Sequence, residues 1–241
     1  MAPSLLSQKL LCFDVYGTLI DWETGIYTAA LPLLSQLSPP PTRASFLSTY
    51  ARLETLQQTA TPGLRYSQLL SAVYAQLAAH YSLPAPSSEA EAFGASIGDW
   101  PAFADSADAL QRLKASFKLV VLSNVDRESF ANSLPRLGGE GVFDLVLTAE
   151  DIGGYKPALR NFEVMLEEVQ ERFAVAREEV CCTAQSLFHD HAPAKRLGLV
   201  SAWIDRQGGL MGVGEVEGAG FEWRFETLGE MAEAVEREKG E

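Results

Sequence analysis

The sequence predicts an α/β fold with a doubly wound parallel sheet and an inserted, all-helical block. From about residue 104 onward, short apolar runs alternate with segments of helical period, which is typical of βαβ units. Residues 22–103 differ, because helical periodicity dominates there and no convincing strand is present. We therefore predict a core domain of residues 1–21 and 104–241, with a helical cap domain of residues 22–103.

The elements follow in order along the chain. An apolar run at 11–13 is the first predicted strand, and helical periods follow at 22–37, 42–59 and 66–81. Later strands are predicted at 119–122, 143–147, 180–183 and 200–204, and later helices at 107–117, 129–137, 161–173, 191–197 and 230–239. The glycine-rich stretch 207–220 has neither period and is predicted to be a surface loop, with a flexible linker as the alternative.

Composition excludes several classes of function. The net charge of −13 disfavours a nucleic-acid-binding protein, which needs a basic face. No apolar run approaches the length of a membrane span, and no signal-peptide pattern is visible, so we expect a cytoplasmic protein without membrane contact. The adjacent Cys181 and Cys182 lie in an apolar run and are interpreted as small buried side chains rather than redox groups.

Polar residues follow four predicted strands at the point where chemistry is concentrated in open α/β sheets. They are Asp14, the pair Ser123 and Asn124, Lys156, and Asp190. The carboxyl ends of parallel strands meet at one edge, so these side chains are expected to converge on one crevice. A carboxylate there can act as a covalent nucleophile.

These motifs resemble those of the haloacid dehalogenase superfamily, and within it the type II L-2-haloacid dehalogenases. The matching segments are Asp14-Val15-Tyr16-Gly17-Thr18-Leu19, Ser123-Asn124, Lys156-Pro157 and residues 184–190. The resemblance covers essentially the whole chain, including a helical cap after the first motif, and implies a Rossmann-like core.

Tyr16 separates two branches of that superfamily. The phosphatases carry aspartate at this position, which protonates an alkoxide leaving group, whereas the dehalogenases carry tyrosine. A departing halide needs no proton. The phosphatases also have a Gly-Asp pair where this chain has Ala184-Gln185, which leaves Asp14 and Asp190 as a poor ligand set for magnesium. No metal and no other cofactor is therefore expected.

The resemblance implies a role for each matching residue. Asp14 attacks the halogen-bearing C2 to form an ester, Asp190 orients the hydrolytic water, and Lys156 orients Asp14. Ser123 and the backbone amides near Val15 and Tyr16 receive the substrate carboxylate. The remaining residues expected at the substrate or halide site are Thr18, Asn124, Arg52, Gln185, Phe188 and His189.

The halide-binding arginine of the cap has three candidates, Arg43, Arg52 and Arg65. The dehalogenases place theirs on an early cap helix just before a Leu-Glu pair, and Arg52 fits best. A solvated helix arginine with no role at the site is an equally good interpretation.

Three positions depart from the dehalogenase pattern. The dehalogenases carry a serine, an asparagine and a tyrosine that help to order the hydrolytic water and the lysine. This chain has Gln185, Leu187 and Phe162 at those positions. His189 and His191, which flank Asp190, could compensate as proton acceptors. Alternatively, His189 packs at the mouth of the site while His191 faces solvent.

We therefore predict a hydrolase that converts short 2-haloalkanoic acids to 2-hydroxy acids. A phosphatase using Mg²⁺ through Asp14 and Asp190 on a small phosphomonoester is one alternative, and a catalytically weak relative kept for ligand binding or protein interaction is another. The partner is a small anionic substrate, and a homodimer is possible through an amphipathic cap helix such as 66–81.

Overall fold

The computed structural model describes residues 4–206 and 216–240. In that part of the chain a six-stranded sheet has the strand order β3-β2-β1-β4-β5-β6, and every neighbouring pair is parallel. The strands are β1 (Leu10–Phe13), β2 (Lys118–Ser123), β3 (Leu145–Thr148), β4 (Val180–Ala184), β5 (Val200–Ile204) and β6 (Trp223–Phe225). The predicted fold class is confirmed.

The central strand β1 explains why helices cover both faces of the sheet. Its side chains alternate between faces, so Leu11 and Phe13 belong to one buried apolar cluster while Leu10 and Cys12 belong to another. All four are buried. A strand that is apolar on both sides needs a helical layer on each, which is the rule for parallel sheets.

The segment between β1 and β2 contains helices α1 (Trp22–Ala29), α2 (Leu31–Leu34), α3 (Arg43–Ala60), α4 (Tyr66–His80) and α5 (Ser87–Ala95). The prediction of one helix over 22–37 is wrong, because the helix is interrupted between α1 and α2. Pro32 lacks a backbone N–H and its ring would clash with the carbonyl one turn earlier. Helix α5 was not predicted.

The core helices are α6 (Ser106–Lys114), α7 (Arg127–Ser133), α8 (Ala149–Ile152), α9 (Leu159–Phe173), α10 (Ala192–Arg196) and α11 (Leu228–Lys239). Strand β6 was not predicted. Residues 207–215 of the predicted glycine-rich loop lie outside the described residues. Cys181 and Cys182 are buried in β4 with free thiols, as their apolar setting indicates.

Contacts of α4 and the turn before it hold the inserted helices against the sheet. The Ser67 N–H donates to Asp126 after β2, and the Tyr155 hydroxyl donates to the Leu64 carbonyl. These core residues follow the carboxyl ends of β2 and β3, so the inserted helices contact the edge where the polar residues collect. Within the described ranges, no helix is both long and apolar enough to cross a membrane.

Candidate active site

The ends of the strands bring together one lysine and two aspartates. Asp14 directly follows β1, Lys156 follows β3 and α8, and Asp190 lies in the helical turn after β4. The Lys156 Nζ lies 2.9 Å from Asp14 Oδ1 and 2.7 Å from Asp190 Oδ1. Residues separated by more than 140 positions in sequence therefore meet at one sheet edge, as parallel strand order dictates.

Lys156 is a buried cation with all its bonding capacity used. Its side chain is 1% exposed, and its Nζ also donates to the Leu122 carbonyl at 2.8 Å. Burial alone would lower the pKa of Lys156, but the charges of Asp14 and Asp190 outweigh burial and raise this pKa above its usual range. The ammonium is therefore permanently charged and fixes both carboxyl groups.

Asp190 combines the ion pair with an unused oxygen. Its side chain is 2% exposed, and in the described part of the protein its Oδ2 has no hydrogen-bond partner. Burial raises the pKa of Asp190 to about 7, with the charge of Asp14 adding to the shift and that of Lys156 opposing it. A carboxylate of that pKa can accept a proton near neutral pH.

The turn after β1 holds the second oxygen of Asp14. The Thr18 hydroxyl donates to Asp14 Oδ2 at 2.7 Å and accepts the Gln185 N–H at 2.9 Å. The turn requires Gly17, whose φ of 100° lies in the left-handed region that side chains disfavour. Both oxygens of Asp14 are thus bonded, one to Lys156 and one to Thr18, and the carboxylate is held in a single orientation.

Ser123 and Asn124 extend the site from the end of β2. Asn124 accepts the Lys156 N–H at 2.7 Å and donates to the Lys156 carbonyl at 3.1 Å. Its amide therefore positions the turn that carries the lysine. The buried Ser123 hydroxyl has no partner among the described residues, so it is available to a ligand.

Donors for an anion come from the backbone after Asp14. Among the described residues, the backbone N–H groups of Val15 and Tyr16 have no acceptor, while the Val15 side chain is buried in the core. The Tyr16 hydroxyl is paired with Ser133 at 2.9 Å, and its ring meets Trp100 edge-on at 5.8 Å. Val15 and Tyr16 thus offer backbone N–H groups to an anion, and the Tyr16 ring forms an aromatic wall of the site.

These groups line a cavity of about 210 Å³. The lining is completed by residues of the inserted helices and of the turn after β4, so the space lies between the two parts of the fold. The lining residues are Asp14, Tyr16, Trp22, Ala51, Glu54, Thr55, Gln58, Tyr66, Ser123, Asn124, Lys156, Gln185, Ser186, Phe188, His189 and Asp190. The volume suits a small molecule.

Arg52 does not reach this cavity. Ala51, Glu54, Thr55 and Gln58 of α3 face it at helical spacing, and Arg52 projects about 100° away from Ala51 into solvent. The structure therefore does not bring Arg52 to the residues that line the cavity.

The histidines differ from the alternative interpretation in one respect. His189 lines the cavity, and burial together with the charge of Lys156 lowers the pKa of His189 to about 4, so its ring is neutral near pH 7. His191 does not face solvent. It is buried and bonded to the Ala184 carbonyl at 2.9 Å and to Ser201 at 3.0 Å, which is a structural role.

Apolar side chains form the rest of the wall. Trp22 and the half-exposed Phe188 both line the cavity. Phe162, which replaces a tyrosine of the dehalogenase pattern, is fully buried in the apolar layer with Leu10 and Cys12. It therefore offers no hydroxyl to the site.

The donor set fits magnesium poorly. Within residues 4–206 and 216–240, no group of three or more His, Cys, Asp or Glu side chains is arranged to hold a metal ion. The carboxylates of Asp14 and Asp190 already share the ammonium of Lys156. A magnesium ion bound by both would have to compete with that buried cation.

Glu54 and Tyr66 are the two buried members of the cavity lining that sequence reasoning missed. Both lie on inserted helices, and Glu54 is 8% exposed although glutamate on a helix is usually solvated. The available signal was the spacing from Ala51 to Glu54 and Gln58, which places them on one face of α3.

Comparison with known proteins shows the family of the chain. A family model described as haloacid dehalogenase-like hydrolase matches residues 8–182. The (S)-2-haloacid dehalogenase 4A of Burkholderia cepacia is 26% identical over 206 residues, which cover 84% of this chain and 85% of that protein.

Solved structures share the fold. The L-2-haloacid dehalogenase of Xanthobacter autotrophicus with chloropropionic acid covalently bound aligns with a TM-score of 0.76 at 17% identity, covering 95% of this chain and 98% of that one. A magnesium-bound HAD-hydrolase of Bacillus subtilis aligns with a TM-score of 0.73 at 18% identity, with the same coverage. The family match over most of the chain, together with the Asp14, Lys156 and Asp190 site, identifies the protein as a member of the haloacid dehalogenase-like hydrolases.

Proposed function

We propose that the protein hydrolyses short 2-haloalkanoic acids to 2-hydroxy acids through an ester on Asp14, without a metal ion. The observation that carries this proposal is the ammonium of Lys156 shared by Asp14 and Asp190 at a cavity of small-molecule size. The similarity to (S)-2-haloacid dehalogenase 4A supports the class of substrate.

The first step is displacement at carbon. A carboxylate oxygen of Asp14 attacks C2, the carbon–halogen bond breaks, and the halide leaves with the bonding electrons. The substrate carboxylate accepts hydrogen bonds from the Ser123 hydroxyl and from the N–H groups of Val15 and Tyr16, which are free for it among the described residues. Lys156 and Thr18 hold Asp14 for the attack.

The second step is hydrolysis of the ester. Water attacks the carbonyl carbon of Asp14 and gives its proton to Asp190, whose Oδ2 is unpaired in the described part of the chain. The acyl C–O bond then breaks, the second proton of the water passes from the new carboxyl group to the leaving alkoxide, Asp14 is regenerated as a carboxylate, and Asp190 releases its proton to solvent. Helices α1 to α5 act as a cap that keeps bulk water from the ester.

The test measures halide release from L-2-chloropropionate in the presence of a chelator. Wild type is expected to release halide, and Asp14→Asn is expected to fall to background while remaining folded. Asp108→Asn, a matched change at an exposed carboxylate, is expected to leave the rate unchanged.

Two results would overturn the proposal. Absence of halide release from several 2-haloacids would point to a catalytically weak relative. Release of phosphate from a generic phosphomonoester with added Mg²⁺, without any halide release, would instead establish a phosphatase.

A further inference from the structure

A buried carboxyl group lies on the wall that the inserted helices contribute to the cavity. Glu54 of α3 is 8% exposed, and its Oε1 accepts a hydrogen bond from the hydroxyl of Tyr66, the first residue of α4. The Tyr50 hydroxyl lies 3.4 Å from that of Tyr66. The three side chains form a cluster that lies outside all four motifs of the sheet edge.

The same cavity contains both the cluster and the proposed nucleophile. Glu54 and Tyr66 line it together with Asp14 and Lys156. Two buried polar atoms on the sheet side, Ser123 Oγ and Asp190 Oδ2, have no partner among the described residues. The cavity is therefore built to receive polar groups of a ligand on the sheet side, and Glu54 adds an acceptor on the side of the helices.

The charges of the lining show what Glu54 can bind. Asp14, Glu54 and Asp190 contribute carboxyl groups, whereas Lys156 is the permanently charged cation of the described lining and is bonded to both aspartates. No lysine or arginine of the described residues pairs with Glu54. Burial raises the pKa of Glu54 to about 7. A buried acceptor of this kind disfavours a second anionic or apolar group and favours a hydrogen-bond donor.

We propose that Glu54 is a specificity-determining residue that accepts a hydrogen bond from an O–H or N–H group of the substrate. The substrate is then a short 2-haloacid that also carries a hydroxyl or amino group near the halogen-bearing carbon. This identification of the substrate rests on the proposed dehalogenase function. Its carboxylate binds at the sheet edge and its donor at Glu54.

The test compares substrates of nearly equal shape at pH 8, where Glu54 is ionised. L-2-chloro-3-hydroxypropionate carries a hydroxyl where L-2-chlorobutanoate carries a methyl group. Wild type is expected to prefer the hydroxylated acid in kcat/KM, and Glu54→Gln is expected to reduce that preference by about fivefold to tenfold, because the amide oxygen of glutamine still accepts a hydrogen bond but carries no charge. The rate with 2-chlorobutanoate is expected to change less than about threefold.

A matched control separates specificity from stability. The Tyr74 hydroxyl donates to Glu89 at 2.5 Å and ties α4 to α5, but neither residue lines the described cavity. Glu89→Gln therefore removes the charge from a similar Tyr–Glu pair and is expected to leave the substrate preference unchanged. If both variants alter the substrate preference equally, or if wild type has no preference, Glu54 does not determine substrate specificity.

A binding measurement keeps this inference testable even if no halide is released. The corresponding products have the inverted configuration at C2, and these products, D-glycerate and D-2-hydroxybutanoate, are compared by the shift in Tm that each causes. Wild type is expected to be stabilised more by glycerate, and the difference between the two shifts is expected to be smaller in Glu54→Gln. Equal shifts in wild type would overturn the role of Glu54, whereas missing halide release with unequal shifts would overturn the dehalogenase function alone.

Discussion

Replacing Lys156 by methionine removes a buried ammonium without changing the length of the side chain much. The wild-type Nζ bonds Asp14 at 2.9 Å, Asp190 at 2.7 Å and the Leu122 carbonyl at 2.8 Å, and the side chain is 1% exposed. After Lys156→Met, two close carboxyl groups remain at the sheet edge with no cation between them. The variant therefore tests whether this lysine organises the site.

The magnitude follows from the cost of an unpaired buried charge. Breaking a buried ion pair from one side costs about 3–5 kcal/mol, and we expect a loss of that size in the free energy of unfolding at pH 8. An exposed pair costs much less. Lys118→Met, which removes a lysine that is 50% exposed and bonded to Asp144, is expected to cost less than about 1 kcal/mol.

The loss is expected to depend on pH. Burial and the charge of Asp14 raise the pKa of Asp190, and Lys156 opposes both, so the lysine's removal moves this pKa further up. A carboxyl group whose folded pKa exceeds its unfolded pKa stabilises the fold at low pH and loses that contribution as pH rises. Lys156→Met should therefore be less destabilising at pH 5 than at pH 8.

Urea unfolding at both pH values measures these effects. Adding Asp190→Asn to Lys156→Met is expected to restore part of the stability at pH 8, because one of the two unpaired charges is gone. A loss below about 1 kcal/mol, or the same loss at both pH values, would refute the assignment of Lys156 as the cation that holds both aspartates.

The remaining predictions concern single contacts. Thr18→Val removes the donor to Asp14 and is expected to lower kcat/KM for halide release by about 10- to 100-fold. Thr18→Ser keeps a hydroxyl and is expected to retain activity. Equal rates for the two variants would show that the hydrogen bond to Asp14 does not contribute to catalysis. Arg52→Ala is expected to change kcat/KM by less than about twofold, and a tenfold loss would show that this exposed side chain reaches the substrate. For Glu54, the folded pKa of about 7 against 4.5 means that its stabilising contribution is present below the lower value and lost as pH rises through the upper. From pH 5 to pH 8, the free energy of unfolding of Glu54→Gln is therefore expected to rise by about 2–3 kcal/mol relative to that of wild type, as measured by urea unfolding. Parallel curves of unfolding free energy against pH for the two proteins would contradict this.

The sheet edge could be predicted because it depends on strand order. Asp14, Ser123, Lys156 and Asp190 each follow an apolar run, and parallel strands bring such positions together wherever the intervening helices lie. The contacts that tune these residues were less accessible. Asn124 bonds the backbone of Lys156 across two loops, and no local pattern indicates that pairing.

The helical wall could not be predicted because it depends on helix rotation and on contacts between helices. The choice of Arg52 rested on its position in a motif, whereas the face of α3 that meets the cavity carries Glu54. The burial of Glu54 depends on Tyr66 from a different helix. Strand β6 was missed because its three residues are too short for a period to be visible.

The most direct test of the Asp14 ester follows the oxygen of water during a single turnover. Excess enzyme is mixed with L-2-chloropropionate in H₂¹⁸O, and the masses of the 2-hydroxy acid and of the peptide containing Asp14 are measured by mass spectrometry. Attack by Asp14 predicts unlabelled product and a peptide that gains one ¹⁸O, because the product oxygen comes from Asp14 and water replaces it. Labelled product with an unlabelled peptide would contradict the ester mechanism, because water would then have attacked the substrate carbon directly.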